Sequence, residues 1–188
     1  EKFKLINESL RQTNEEVIEK FTKKVPTELL QTFSINPFYP LKNGAAVASF
    51  GDHRFYQFNK EGVSESYHLG LDLASTAQAD IVASNPGTVV YAEYNGIYGK
   101  NIIISHGLCI YSLYGHCSAF TVAKGDVVNA GEVIAKTGLT GLALGDHLHF
   151  GILVQGVEVR PEEWMDASWM KDNLFKVMQD AKKIIDLK

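Results

Sequence analysis

Apolar residues recur at helical spacing at both ends of the chain and at strand spacing between them. Residues 1–24 are charged and free of glycine, and Phe3, Ile6, Leu10, Val17 and Phe21 fall near a helical period. Pro26-Thr27 interrupts this run, with Thr27 placed to cap a short turn through Leu29, Leu30 and Phe33. Asn36-Pro37 and Tyr39-Pro40 then predict an extended linker, because the residue before a proline is pushed out of the helical region. Strand-like runs follow at 45–50, 88–94, 101–105, 109–114, 132–136 and 148–154, separated by turn signals such as Pro86-Gly87, Asn95-Gly96 and Gln155-Gly156. Short strands with frequent glycine turns predict a mainly β, antiparallel core. From Ser168 to Lys188 the helical period returns, with Met170, Leu174, Val177, Met178, Ala181, Ile184 and Ile185 on one stripe. The expected organisation is a helical segment and linker at 1–40, a β domain at 41–166 and an amphipathic helix at 167–188. That last stripe is expected to dock on the chain's own core, as amphipathic helices usually do. The competing expectation is a homo- or hetero-oligomer formed through the terminal helices.

Composition narrows the function classes. At 188 residues the chain suits a single domain with a full core, and 45% hydrophobic with 21% charged residues is ordinary for a soluble globule. A net charge of -4 points away from nucleic acid and from anionic membrane surfaces. No apolar run is long enough to span a bilayer. Because the chain starts at Glu1, it reads as a mature product or a piece of something longer. Cys109 and Cys117 lie along one expected strand, where direct pairing is geometrically poor, so both are read as unpaired small apolar side chains.

The candidate chemistry lies in the β region. His68 and Asp72 flank Gly70, and in an extended segment positions 68, 70 and 72 share a face, so an imidazole and a carboxylate can converge on one ion. His147 and His149 are two apart before an apolar run, and in a strand they point the same way. Two imidazoles on one face are costly to bury without partners, and a metal or a substrate oxygen is such a partner. Tyr114-Gly115-His116 supplies another imidazole. Zinc takes imidazole and carboxylate ligands, and a catalytic zinc keeps one position open for water. His53 and His106 are placed in loops without function, and Tyr67 is given no role.

Taken together, His68-x-Gly70-x-Asp72, Tyr114-Gly115-His116, and the stretch from Lys124-Gly125-Asp126 through Gly131, Gly138, Gly141 and Gly145 to His147-x-His149-Phe150 resemble the LytM/lysostaphin-type zinc metallopeptidases of bacterial cell walls. The resemblance implies a predominantly antiparallel LytM-type core with a site in a groove, here flanked by N- and C-terminal helices. It implies zinc bound by His68, Asp72 and His149, with His116 and His147 as catalytic residues beside the metal water. It implies hydrolysis of peptidoglycan peptide cross-links, with D-alanyl–meso-diaminopimelate as the natural bond in a Gram-negative wall. It also implies a location in the cell envelope or periplasm. The terminal helices look like those of cell-shape-determining endopeptidases from curved or helical Gram-negative bacteria. Segments 51–66 and 139–146 are expected to be loops that wall the groove. Two alternatives compete: a catalytically silent binding module or activator on the same fold, and a carrier domain, to whose hairpins residues 123–131 are similar.

Overall fold

Side-chain alternation along the strands decides how the molecule is layered. The computed structural model describes residues 2–25 and 33–186, so the turn expected around Thr27, Leu29 and Leu30 lies outside the described residues. Helix α1 (Lys2–Leu5) runs through a π-helical stretch at Ile6–Leu10 into α2 (Arg11–Thr22). The strands then follow as β1 (Ala45–Ala48), β2 (His53–Phe58), β3 (Glu61–Tyr67), β4 (Leu71–Ala74), β5 (Asp80–Val82), β6 (Gly87–Tyr94) and β7 (Lys100–Gly107). They continue as β8 (Ile110–Cys117), β9 (Ala119–Phe120), β10 (Val127–Val128), β11 (Val133–Lys136), β12 (Leu148–Val154) and β13 (Val157–Val159). Short helices α3 (Pro161–Met165) and α4 (Ala167–Met170) lead through a π-helical stretch at Lys171–Phe175 into α5 (Lys176–Asp186).

An eight-stranded antiparallel sheet in the order β1-β4-β12-β8-β7-β6-β10, with β13 paired to β12, forms the body. On one face Leu71, Leu73, Leu148, Phe150, Ile152 and Tyr114 point into the main core. There they meet Ile81, Ile134 and Ala135 of a three-stranded sheet, β5-β11-β9. Trp164 and Met170 close this core at its helical end. On the opposite face Tyr111, Leu113, Ile103 and Leu153 pack under Ile18 of α2. The N-terminal helix therefore covers only part of that face.

The linker is less free than its prolines predict. Ile35, Phe38 and Leu41 are buried in the main core. Asn36 and Asn85 exchange hydrogen bonds, with the Asn36 N–H donating to Asn85 Oδ1 at 2.6 Å and Asn85 Nδ2 donating to the Asn36 carbonyl at 2.9 Å. Both cysteines are free.

Other expectations are corrected. Segment 51–66 is mostly strand: β2 and β3 pair with each other as a two-stranded arm. His53 therefore sits on β2, where its Nε2 meets Glu65 at 3.1 Å. His106 sits on β7 and is buried; its Nδ1 donates to the Pro86 carbonyl at 2.8 Å, and its Nε2 faces the Ser112 hydroxyl at 2.7 Å. The C-terminal stripe docks only at its start. Met170 is buried and Trp169 and Leu174 pack on the core, but no residue of α5 is buried, and Val177, Ile184 and Ile185 are exposed. Trp164 and Met170 belong to the core, and α5 beyond them adds no buried residue to it. Among the described residues no helix is long and apolar enough to cross a membrane.

Candidate metal centre and groove

Three neighbouring strands in the middle of the sheet bring the candidate residues together. In the ladder, His149 on β12 lies opposite Asp72 on β4 and, on its other side, opposite Gly115 on β8. Because successive side chains alternate, burying Leu148, Phe150 and Leu71 in the core turns His149 and Asp72 to the other face. His68 does not lie on a strand with Asp72, as the shared-face reading expected. It follows β3 in a short connection and still reaches the same point.

The three side chains make a tight cluster. His68 Nε2 and His149 Nδ1 each lie 2.9 Å from Asp72 Oδ1 and 3.0 Å from one another. All three residues are buried. His68 Nδ1 donates to the Ser49 carbonyl at 2.8 Å, which fixes the tautomer and leaves the Nε2 lone pair facing the cluster. Two imidazole nitrogens and a carboxylate oxygen this close together are the donor set and the spacing that a divalent metal with bonds of about 2 Å can bridge. Gly70 makes room for the His149 ring. A Cβ there would stand 2.6 Å from His149 Cε1 and 2.7 Å from the Phe150 carbonyl oxygen.

His116 reaches the groove by a break in alternation. Tyr114 and Cys117 both face the main core, so a regular strand would leave room for only one side chain turned outward between a pair of inward ones. Against β7, where Lys100 pairs with Cys117 and Ile102 with Tyr114, β8 carries one extra residue at this point. His116 adopts a left-handed φ of 61° within this bulge. Bulges re-aim side chains, and left-handed backbone in a non-glycine residue marks a conformation held by its surroundings. His116 Nδ1 donates to the Thr140 carbonyl at 2.8 Å, and its ring lies 4.7 Å from that of His147. His147 Nδ1 in turn donates to the Gly145 carbonyl at 2.7 Å, and its Nε2 is 3.8 Å from Asp72 Oδ1. Both catalytic candidates therefore have Nδ1 occupied by a carbonyl and Nε2 left for chemistry.

Electrostatics follow from burial and proximity. Burial alone would raise the Asp72 carboxyl, but hydrogen bonds and charge from His149 and His68 hold it well below the usual carboxylate range. Burial pushes the His149 imidazole down, against the pull of Asp72. Burial and the neighbouring His149 push His116 down to about 3, so it is neutral at physiological pH.

The cluster lies in a groove of about 590 Å³. One wall is the β2–β3 arm, through Arg54 and Tyr56; another is the 139–146 loop, through Leu142, Leu144 and Asp146; the N-terminal helix contributes Phe3 and Arg11. Both expected walls are thus present, one as a hairpin. The contributions of Arg54, Tyr98, Phe3 and Arg11 were not foreseen. Arg54 lies in the aromatic run His53–Phe58, whose strand pattern does not say which face meets the groove, and nothing in the sequence shows that α1 and α2 fold back to it.

Residues 66–161 match the family model described as Peptidase family M23. The chain is similar to the DD-carboxypeptidase/endopeptidase Mpg of Neisseria meningitidis serogroup B, at 37% identity over 94 residues, 50% of this chain and 22% of that protein. It is similar to the peptidoglycan DD-endopeptidase ShyA of Vibrio cholerae, at 30% identity over 131 residues, 69% of this chain and 29% of that protein. Among solved structures, a zinc-containing peptidase from Vibrio cholerae superposes with a TM-score of 0.60 at 28% identity, over 71% of this chain and 40% of that one. The chain spans less than a third of the length of these two curated relatives.

Proposed function

Because the chain belongs to peptidase family M23, we propose that it is a zinc-dependent endopeptidase that hydrolyses peptide cross-links of bacterial peptidoglycan. The observation that carries this reading is the convergence of His68, Asp72 and His149 to within about 3 Å of one another in an open groove. In this reading those three residues hold zinc, and the bond cut is that between D-alanine and meso-diaminopimelate. Relatives named as DD-endopeptidases support the choice of bond. The substrate puts the protein in the cell envelope or periplasm, where removing cross-links sets cell shape.

Zinc, when bound, supplies an acidified water and polarises the scissile carbonyl. The chain's own residues do the rest. Asp72 remains ionised, because two imidazoles stabilise its charge. The Nε2 atoms of His116 and His147 stand beside the cluster, each ring locked through Nδ1. One accepts a proton from the attacking water and one delivers a proton to the leaving amine. Such positioned proton transfer is worth about 10²–10⁴-fold in rate. Ring packing of Tyr98 against His149, 5.6 Å between centroids, keeps water from one side of the metal ligands. Apolar Leu142, Leu144 and Val47 at the groove lip suit the methyl groups of a stem peptide.

The silent-module alternative loses ground because no position of the five-residue set is replaced. For the exposed stripe of α5, we infer a second chain as its cover. The reading is tested by stripping the protein with a chelator, reloading it with zinc and following release of monomers from purified cross-linked peptidoglycan. Activity is expected to vanish and return. Activity that survives complete metal removal contradicts the proposal.

A further inference from the structure

Arg54 stands on the groove wall with its charge almost unused. Its alternation partner on β2, Tyr56, also faces the groove, whereas His53 and Phe55 face outward and His53 stacks on Tyr67 of β3. The Arg54 guanidinium reaches Asp72 Oδ2 at 3.5 Å, which is an ion-pair contact longer than a good hydrogen bond. Among the described residues the Arg54 side chain makes no hydrogen bond, although it carries five N–H donors. The other oxygen of Asp72 is already shared by His68 and His149. Arg11, the second cation of the groove, is differently placed. It donates to Asn7 Oδ1 at 3.0 Å, its Nε is buried without a partner and so out of a ligand's reach, and its charge acts on Glu15 one helical turn away. Arg54 is therefore the guanidinium free to meet a ligand beside the cluster.

A planar, permanently charged fork matches a carboxylate in two-point fashion. Resting on the reaction proposed above, we propose that Arg54 binds the free carboxylate on the carbon that carries the leaving nitrogen of the substrate. In the D-alanyl–meso-diaminopimelate bond the amine side bears such a carboxylate next to the scissile nitrogen. A guanidinium that already touches a metal-ligand carboxylate stands within the space where that group must lie. Charge adds to the argument: a divalent ion on Asp72 takes up that carboxylate's charge and leaves the guanidinium to seek another anion. Arg54 is thus a specificity-determining residue: it favours cross-links whose carboxylate is free over those in which it is an amide.

The test compares a cross-linked muropeptide dimer carrying the free carboxylate with the same dimer carrying a carboxamide at that position. Zinc-loaded wild-type protein is expected to favour the free dimer by about 10–100-fold in kcat/KM, the range for a hydrogen-bonded charged pair. Arg54→Ala should lose that factor on the free dimer and change little on the amide, while keeping a full equivalent of zinc. Arg54→Lys should recover part of the preference, since it keeps the charge but not the fork. Equal cleavage of both dimers by the wild type, or an equal loss on both in Arg54→Ala, overturns the proposal and leaves the endopeptidase reading standing. If the wild type cleaves neither dimer, the endopeptidase reading falls. Calorimetric binding then decides the subsite: a free-over-amide preference lost in Arg54→Ala sustains it, and equal affinity overturns it.

Discussion

Replacing Gly70 by alanine adds one methyl group between the His149 ring of the candidate metal centre and the backbone of β12. The added carbon would lie 2.7 Å from the Phe150 carbonyl oxygen and 2.6–2.7 Å from two atoms of the His149 ring. That is roughly 0.7 Å short of ordinary contact, and the carbonyl belongs to β12, whose ladder bonds hold it on both sides. The carbonyl cannot swing away as a flexible side chain would, so either β12 shifts or the His149 ring leaves its place. Overpacking of this kind costs about 1–3 kcal/mol. At about 2–4 °C per kcal/mol for a chain of this size, Tm should fall by about 2–12 °C. Displacing the His149 ring by even part of that distance should weaken zinc by about 10–100-fold, as loss of ligand support does. Gly62→Ala is the control, since a Cβ there meets nothing within 4 Å. Differential scanning fluorimetry and a competitive zinc titration read both effects. If Gly70→Ala matches the wild type in Tm and in zinc affinity, the steric account of this glycine is wrong.

Three further outcomes are expected. His149→Ala should lose most bound zinc, whereas His147→Ala should keep it and lose hydrolysis by about 10²-fold or more, as removal of a proton-transfer group does; full zinc retention in His149→Ala, measured by elemental analysis, would reverse the ligand assignment. Buried His106 is pushed down to about 4 by desolvation, against its bond to Pro86, so the unfolded chain takes up its proton near 6.5 and the folded chain does not until about 4. Stability should therefore decline as pH falls through this window by up to about 3 kcal/mol, and urea titrations should show that part of the slope missing in His106→Gln. Deleting residues 176–186 should leave the monomer's Tm within about 2 °C, because α5 buries nothing, while sedimentation should show loss of any oligomer it holds together; a large fall in monomer Tm would mean that the helix docks on its own domain.

What the sequence made legible was whatever depends on local period and on motif chemistry. The strands at 88–94, 101–105 and 148–154 carry strong alternating or apolar patterns, and they appear as β6, β7 and β12 with shifts of at most two residues. His68, Asp72 and His149 were singled out by the resemblance of their motifs to a known family, and they lie together. What local pattern could not reveal was long-range placement. The β2–β3 arm pairs only with itself and leaves aromatic Phe55, Phe58 and Tyr67 exposed, so no buried apolar face marks its strands, and Arg54 stayed hidden within it. The orientation of His116 depends on a bulge and a left-handed backbone that simple alternation does not anticipate. The stripe of 168–188 has the pattern of a docked helix, but the core it would cover is closed by Trp164 and Met170, which only the tertiary packing reveals.

The most direct test of the central claim is mass analysis of a defined D-alanyl–meso-diaminopimelate dimer after incubation with zinc-loaded protein. The account predicts two monomeric fragments, one ending in a free D-alanine carboxylate and the other bearing the released amine, with no covalent adduct on the protein because water is the nucleophile. An intact dimer in the presence of one bound equivalent of zinc would contradict it.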